Sequence, residues 1–560
     1  MQEDTYTIGL DFGTLSGRGI LVRCRDGKIM ASAIKKYAHG VMDEFLPDKK
    51  TPLPDAWCLE HPQDYLDVLD EVIPTLIKES EVPAENIIGI GIDFTSCTML
   101  PVDKNGVPLC FQEKYASRRN AYVKLWKHHG AQKQADKVNS ILDGLGISGL
   151  PRFGGKVSPE LLIPKIMEIL EEDPEIYECA DEILEAGDWL SRVLTGSHKR
   201  SCSMAGYKAW WSAPEGYVEK DLLEKFDSRL KNLEAKMPGE VCSIGGVVGR
   251  LDQACARRFG LKSGIAVAPA VIDSHAGVPG SGITDITQVM MVLGTSSVMV
   301  GFSKTPYSGD GICGGVKDAI IPGYYAFESG LASVGDLFGW FTEQFISRQY
   351  EQEAEEKSLN LHSLLCLKAK ELYPGQSGLL ALDWWNGNKT PYVDGNLTGQ
   401  IMGMTLNTKP EEVYRALIEA TAFGTKKIIE TYEKEGVHIE EIIASGGISN
   451  KNELLMQIYA DVLGKNIAVV NDHQTAALGS AIYAALSAGK KAGGFDTYRE
   501  AVAHMGSQKS KLYKPDQKRI QTYQNLYQLY RRLSKIMGAE YRDLVYDLRK
   551  MKREKGYSLE

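Results

Sequence analysis

Apolar residues along the chain fall into two kinds of run. Short unbroken runs, Thr7–Leu10, Gly19–Val22 and Ile87–Asp93 (IIGIGID), have the length and β-branched content of buried strands. Longer runs over Pro62–Lys78, Pro159–Leu170 and Ile183–Leu194 follow helical periodicity, with Pro or Asp near several starts. A second strand-rich stretch opens at Gln288 (QVMMVLGTSSVMVGF), and a long helical pattern covers Pro410–Glu435. A strand over Glu441–Ser445 then passes through Gly446 and Gly447 into a helix around Glu453–Leu463. From Gln517 onward the chain reads as helix rich in Tyr, Leu, Lys and Arg, which predicts packing or subunit contact rather than chemistry. Strands and helices interleave throughout, the pattern of an α/β protein.

One pattern repeats. GLDFGTLSGRGILV near the start and MVLGTSSVMVGF near residue 290 are each an apolar strand, a Gly-Thr-x-Ser turn and a second apolar strand. The copies lie half a chain apart, which predicts two related domains, each giving one hairpin to a shared site. The boundary falls in the Gly- and Pro-bearing segment VPGSGITD, Val278–Asp285.

Composition narrows the partners. A chain of 560 residues excludes a small-domain function and implies either three to five folding units or two large ones. The net charge of −9 offers no field for nucleic acid and no polybasic anchor for a membrane surface, so the partner is a small molecule. An anionic ligand would be held by local backbone N–H groups and a metal ion. The ten Cys form no C-x-x-C pair and no cluster with zinc-ligand spacing, the usage of free thiols in a reducing compartment. With no basic-then-apolar leader in MQEDTYTIGLDFG and no apolar run of about 18 residues, a cytoplasmic location is expected.

Two nucleotide motifs are absent: no G-x-x-x-x-G-K-[ST] occurs, and no G-x-G-x-x-G opens a helix after a strand. Gly-rich turns between strands remain, and their N–H groups can curl around phosphate oxygens. In Asp11–Ser16, Gly13 lets the backbone approach a phosphate, the Thr14 and Ser16 hydroxyls can donate, and Asp11 can hold Mg²⁺ through water. Taken alone this turn also fits an ordinary hairpin, as do Gly294-Thr295-Ser296 and Ser445-Gly446-Gly447. The three together, in this order, favour a nucleotide.

These segments resemble the FGGY carbohydrate kinases of the actin-like ATPase superfamily. DFGTLSGR (Asp11–Arg18) is similar to the family's first phosphate loop, DSHAGVPGSG (Asp273–Gly282) to its catalytic-Asp segment, LGTSS (Leu293–Ser297) to its second phosphate loop and SGGISN (Ser445–Asn450) to its adenosine segment. GQIMGMTLNTKPEEVYRALIE (Gly399–Glu419) fits the C-terminal signature. One departure stands in SPELLIPKIMEIL: the family's usual Trp is replaced by Glu168, while Pro164-Lys165 is kept. GIDFTSCTMLPVD, LWKHH, CSMAGYKAWW and WWNGNKTPYVD are similar to the branch of the family that acts on ketopentoses.

The resemblance implies two related actin-like (ribonuclease H-like) α/β domains with the active site in the cleft between them. The expected units are 1–280, 281–490 and a helical extension, 491–560, packed on the second. It implies phosphorylation of the terminal O5 hydroxyl of a ketopentose, L-ribulose to L-ribulose 5-phosphate in L-arabinose catabolism, with ATP and Mg²⁺. The alternatives are D-ribulose, ribitol or xylulose as substrate, or a non-catalytic, chaperone-like ATPase. A homodimer is a family-level expectation.

Asp273 is the expected base, since DSHAG follows the apolar run GIAVAPAVI and puts the carboxylate at a strand end; an N-cap for the next helix is the competing role. Ser274 and His275 adjoin it, but sequence adjacency does not give triad geometry. The resemblance implies Ser96, Lys208 and Glu328 as sugar contacts beside Asp273. It implies Gly13, Thr14, Ser16 and Arg18 in the first phosphate loop, Gly294 and Thr295 in the second, and Gly446, Gly447 and Asn450 around the adenosine. Gly335 matches a position lining the nucleotide in glycerol kinases. Arg18 also fits a salt bridge that fixes its loop. The Trp pairs 210/211 and 384/385 are expected in core or hinge packing.

Overall fold

The computed structural model describes residues 4–147, 155–306, 311–470 and 474–554; the tail expected as helix runs past them at 555–560. Two sheets of similar build carry the architecture. The first contains β1 (Tyr6–Phe12), β2 (Ser16–Arg23), β3 (Ile29–Lys36), β4 (Ile87–Phe94), β5 (Ala266–Val267) and β6 (Val271–Ile272). Its order is β5-β4-β1-β2-β3, with β6 also on β4 and the short strand Gly249–Arg250 outside β5. The second contains β7 (Gln288–Leu293), β8 (Ser297–Ser303), β9 (Cys313–Lys317), β10 (Tyr325–Leu331), β11 (Glu441–Ser445), β12 (Asn466–Val470) and β13 (Lys509–Tyr513), in the order β9-β10-β8-β7-β11-β12-β13.

The repeat seen in the sequence is a repeat of topology. β1 and β2 form an antiparallel hairpin and β1 runs parallel to β4; β7 and β8 form the same hairpin and β7 runs parallel to β11. Each Gly-Thr turn is therefore the tip of a hairpin at the carboxyl end of a central parallel strand, where open α/β sheets bind ligands. β1 and β4 are buried along nearly their whole length, as expected of strands covered on both faces, whereas the edge strand β3 alternates and ends in exposed lysine.

The helices that place functional groups are α1 (Pro62–Ser80), α2 (Cys202–Lys208), α3 (Asp273–Gly280), α4 (Gly335–Gln344), α5 (Pro410–Lys434), α6 (Glu453–Leu463), α7 (Thr475–Ala488) and α8 (Gln517–Lys535). α1 starts at Pro62 under a His61 cap whose ring nitrogen accepts the Gln63 N–H. The helix expected over 183–194 is instead a strand, Glu182–Glu185, followed by a helix, Ala186–Thr195. Glu182–Glu185 pairs with Met99–Val102 in a small third sheet, and that tertiary pairing overrides the local helical pattern.

α7 crosses between the lobes. It follows β12 of the second sheet in the chain, yet it packs on β1, β4 and α3 of the first lobe. The approach is close enough to require glycine beneath it: a Cβ on Gly9 would stand 1.9 Å from the Ala477 carbonyl oxygen, and one on Gly91 1.9 Å from that of Ser480. These glycines are what breaks the apolar runs TIGLD and IIGIGID.

The segment after 490 is shared between the lobes. Tyr498, Ala501, Val502 and Met505 join the first core, β13 extends the second sheet, and Tyr523, Tyr527 and Tyr530 of α8 pack on Phe423 of α5. Trp210 and Trp384 are buried, and Trp385 stacks on Trp340. Among the described residues no helix is long and apolar enough to cross a membrane.

Candidate active site

Strand register assembles three carboxylates. Asp11 on β1 lies opposite Asp93 on β4, and Val271 on β6 lies on the other side of Asp93, so Asp273 follows just beyond the end of β6. Burial raises the Asp11 and Asp93 pKa values; Asp93 stands well above the usual carboxylate range, with the charge of Asp11 adding to the effect. Asp93 Oδ2 accepts the Ser480 hydroxyl of α7 at 2.7 Å, while its Oδ1 is buried without a partner. Arg18, opposite Asp11 on β2, brings its Nε to 3.3 Å from Asp11 Oδ2, the loop-fixing ion pair. Asp93 escaped the sequence reading, although IIGIGID ends in Asp just as TIGLD does, and that parallel was the available signal.

Asp273 opens α3 and does not cap it: its Oδ1 accepts only the adjacent Ser274 N–H, at 2.6 Å. Its carboxyl is pushed up to about 7, chiefly by burial; Asp11 and Glu328 push the same way, against the Ser274 N–H and Lys208. A carboxylate poised near neutrality suits a general base.

Lys208 ends α2 in the first lobe and Glu328 sits on β10 in the second; their charged atoms are 3.7 Å apart, so the pair bridges the cleft. Burial opposes the Lys208 charge, but Glu328 and its other neighbours hold the pKa above the ordinary lysine value. Glu328 is held down to about 2: burial acts against ionisation and is overcome by His275, 3.3 Å away, and by Lys208.

Ser96 follows β4 in a tight loop whose next residue, Cys97, has φ 49°. Lys165 clamps that loop, donating to the carbonyls of Cys97 and Leu125 at 2.8 Å each. The Ser96 hydroxyl oxygen is buried without a partner, as a ligand-binding group would be. Trp126 of the LWKHH segment donates its indole N–H to the Thr14 hydroxyl at 3.1 Å, tying that segment to the first hairpin tip.

The two hairpin tips have matching backbone turns, Gly13 N–H to Ser16 carbonyl at 3.1 Å and Gly294 N–H to Ser296 carbonyl at 3.0 Å. The start of α4 docks on the second tip. Gly335 N–H donates to the Gly294 carbonyl, and the Val334 and Asp336 N–H groups to that of Thr295. A Cβ on Gly335 would lie 2.7 Å from the Gly294 oxygen. Gly446 has φ 100°, and a Cβ there would lie 2.3 Å from the Leu293 oxygen. A cleft of about 850 Å³ begins at these glycines and is lined by Gly294, Gly335, Gly447, Tyr414 and the helix Leu361–Lys370.

Asn450 stands outside that lining; its amide donates to the Gly446 and Val470 carbonyls and fixes the loop. The cleft is instead completed by Lys511, Tyr513 and Arg519. Arg519 belongs to the tail that the sequence predicts as packing or subunit contact, and here that tail lines the cleft. A strand and a helix that are remote in sequence close the cleft only once β13 has paired with β12.

The first lobe matches the N-terminal domain model of the FGGY family of carbohydrate kinases over residues 6–280, and the second lobe matches the C-terminal domain model over 289–488. The chain belongs to this family. As an FGGY carbohydrate kinase it is 47% identical to a ribulokinase of Bacillus licheniformis over 539 residues, covering 96% of this chain and 98% of that one. It is 44% identical to a ribulokinase of Halalkalibacterium halodurans over 548 residues, 98% and 97% of the two chains. Among solved structures, a ligand-bound xylulose kinase from Lactobacillus acidophilus superposes with a TM-score of 0.79 at 18% identity, covering 96% of this chain and all of that one. A xylulose kinase from Rhodospirillum rubrum gives 0.78 at 22%, covering 95% and 99%.

The position at which this kinase departs from the family signature has a structural reason. Glu168 is fully buried and lies 2.7 Å from both Lys124 Nζ and His128 Nε2. It is held down to about 2, since Lys124 and His128 outweigh its burial. Lys124 precedes, and His128 belongs to, the same LWKHH segment that reaches Thr14. An acidic residue is therefore required here to neutralise a cation that a tryptophan would leave unpaired.

Proposed function

We propose that this carbohydrate kinase transfers the γ-phosphoryl group of ATP to the O5 hydroxyl of L-ribulose, giving L-ribulose 5-phosphate and ADP. The observation that carries the reading is the Asp273 carboxyl just beyond the end of β6, pushed up to about 7 and within the influence of the Lys208–Glu328 pair that joins the two lobes. Nearly full-length similarity to chains named ribulokinase supports the choice of sugar. In the reaction Asp273 accepts the proton of the O5 hydroxyl, the oxygen forms a bond to the γ-phosphorus, and the bond to the β-phosphate oxygen breaks. Ser96, Lys208 and Glu328 hold the sugar hydroxyls and carbonyl. Their demand for directional partners gives selectivity, because an unmade bond to a buried polar group is costly.

The N–H groups of the two hairpin tips, Gly13–Ser16 and Gly294–Thr295, cradle the phosphates, with Thr14 and Ser16 donating. Gly335, Gly446 and Gly447 let the nucleoside approach the backbone. The residues present fit a magnesium ion. Among the described residues no group of three ligating side chains could hold a metal alone, but Asp11 and Asp93, with its unpartnered Oδ1, suit an ion carried mainly by phosphate and water. Bound there, Mg²⁺ would neutralise phosphate charge. Closure of the lobes on the sugar would keep water from acting as acceptor. We place the enzyme in the cytoplasm, in keeping with ten free cysteines.

The test is a coupled ADP-release assay over L-ribulose, D-ribulose, D- and L-xylulose and ribitol. The reading requires the highest kcat/KM on L-ribulose and slower ATP hydrolysis without sugar. A preference for xylulose or ribitol would overturn the substrate, and sugar-independent hydrolysis at the full rate would overturn closure as a gate.

A further inference from the structure

One buried imidazole near Asp273 has no part in the phosphoryl transfer described above. His275 lies two residues beyond Asp273 on α3 and is fully buried. Positions two apart on a helix face different sides, and His275 turns toward α2 and the second lobe. Its Nδ1 is 3.5 Å from the Ser203 hydroxyl of α2, and its Nε2 is 3.3 Å from Glu328 Oε2 on β10. The Tyr207 ring packs 4.3 Å from the imidazole.

The carboxylate fixes which ring nitrogen must carry a proton. The Glu328 carboxylate, held ionised, can only accept, so His275 Nε2 carries the proton that lies between them. Ser203, whose oxygen also accepts the Ile272 N–H at 3.4 Å, meets the ring at Nδ1 and steadies it from the side of α2. Lys208 approaches the other carboxylate oxygen, Oε1, as a point charge that imposes little direction. The imidazole N–H is directional, and it holds Oε2 while Oε1 stays free to meet a sugar hydroxyl.

We propose that His275 is a positioning residue for sugar recognition: through the Ser203–His275–Glu328 chain it fixes the carboxylate contributed by the second lobe relative to the helix that carries Asp273. The inference rests on the assignment of Glu328 to the sugar. It gives His275 a role through Glu328 alone, without contact to the reacting atoms.

The experiment combines imidazole ¹⁵N NMR of the full-length protein with kinetics of three variants. His275, assigned by difference against His275→Gln, is expected with a proton on Nε2; a ring protonated at Nδ1 alone would overturn the proposal. His275→Ala removes one hydrogen bond to a charged group, so KM for L-ribulose should rise about tenfold or more, with KM for ATP unchanged and kcat within about threefold. His275→Gln, whose amide can still donate, should recover most of that loss, and Ser203→Ala should fall between the two. A sugar KM within twofold of the unmodified enzyme in His275→Ala, or no difference between Ala and Gln, would refute it. Should His275→Ala not fold, the Nε2 proton and Ser203→Ala decide. An unmodified enzyme inert on every ketopentose would sink the substrate reading and leave the Nε2 result standing, so the two failures are separable.

Discussion

Removing the Asp273 carboxylate should have opposite effects on catalysis and on stability. The carboxyl rises from an ordinary 3.8 to about 7 in the folded protein, mainly because it is buried. At 1.36 kcal/mol per pH unit, that is about 4 kcal/mol set against the charged form, an upper limit because water still reaches part of the group. The group's folded pKa lies above its unfolded one, so its contribution to stability is fully present below about 3.8 and is lost as pH rises through about 7. Asp273→Asn abolishes that loss. The variant should match the unmodified enzyme in urea at pH 4 and be more stable at pH 8.

Catalysis should move the other way. A positioned base contributes roughly 10²–10⁴ in rate, so kcat for L-ribulose should drop by that factor while the sugar and ATP still bind within a few-fold in calorimetry. In the unmodified enzyme kcat/KM, which reports groups of the free enzyme, should climb about tenfold per pH unit up to an inflection near 7 and then level. The residual activity of Asp273→Asn should lack that inflection. Retention of more than a tenth of the activity, or the same inflection in the variant, would refute the assignment of the base.

Lys208→Met leaves Glu328 without its cation across the cleft, and the KM for sugar should rise about 10²-fold with the KM for ATP unmoved, read in the ADP-release assay. Gly335→Ala puts a Cβ 2.7 Å from the Gly294 oxygen and must displace the second hairpin tip; the KM for ATP should rise at least tenfold while sugar binding, followed by calorimetry, is kept. Glu168→Ala strands Lys124 in the core and should cost about 3–5 kcal/mol in urea unfolding, whereas a change at an exposed residue such as Lys225 should cost less than about 0.5 kcal/mol.

The sequence by itself determined the kinds of element and the chemistry they carry. Unbroken apolar runs had to become central strands, the two Gly-Thr turns between paired runs had to become hairpin tips, and DSHAG after an apolar run had to put a carboxylate at a strand end. Each follows from properties spanning a dozen residues or fewer. Strands of local origin, such as Glu441–Ser445, and helices with a clear period, such as Glu453–Leu463, emerge with the bounds their patterns give. The run at 183–194 does not, because its first three residues are captured by a partner strand eighty residues earlier.

Tertiary structure decided what sits beside what. Asp93 joins Asp11 through the parallel register of β1 and β4, and Ser480 reaches it only because α7 crosses back over glycines four hundred residues upstream. Glu328 meets Lys208 and His275 across the two lobes, Glu168 is paired by Lys124 and His128, and the tail closes the cleft at Gly294, Gly335 and Gly447 with Arg519. Apart from the Asp that ends both TIGLD and IIGIGID, none of these pairings has a local signal. They depend on register and on helix docking, which are fixed by burial summed over the whole core, and a polar side chain carries no mark in sequence of the partner it will face after collapse.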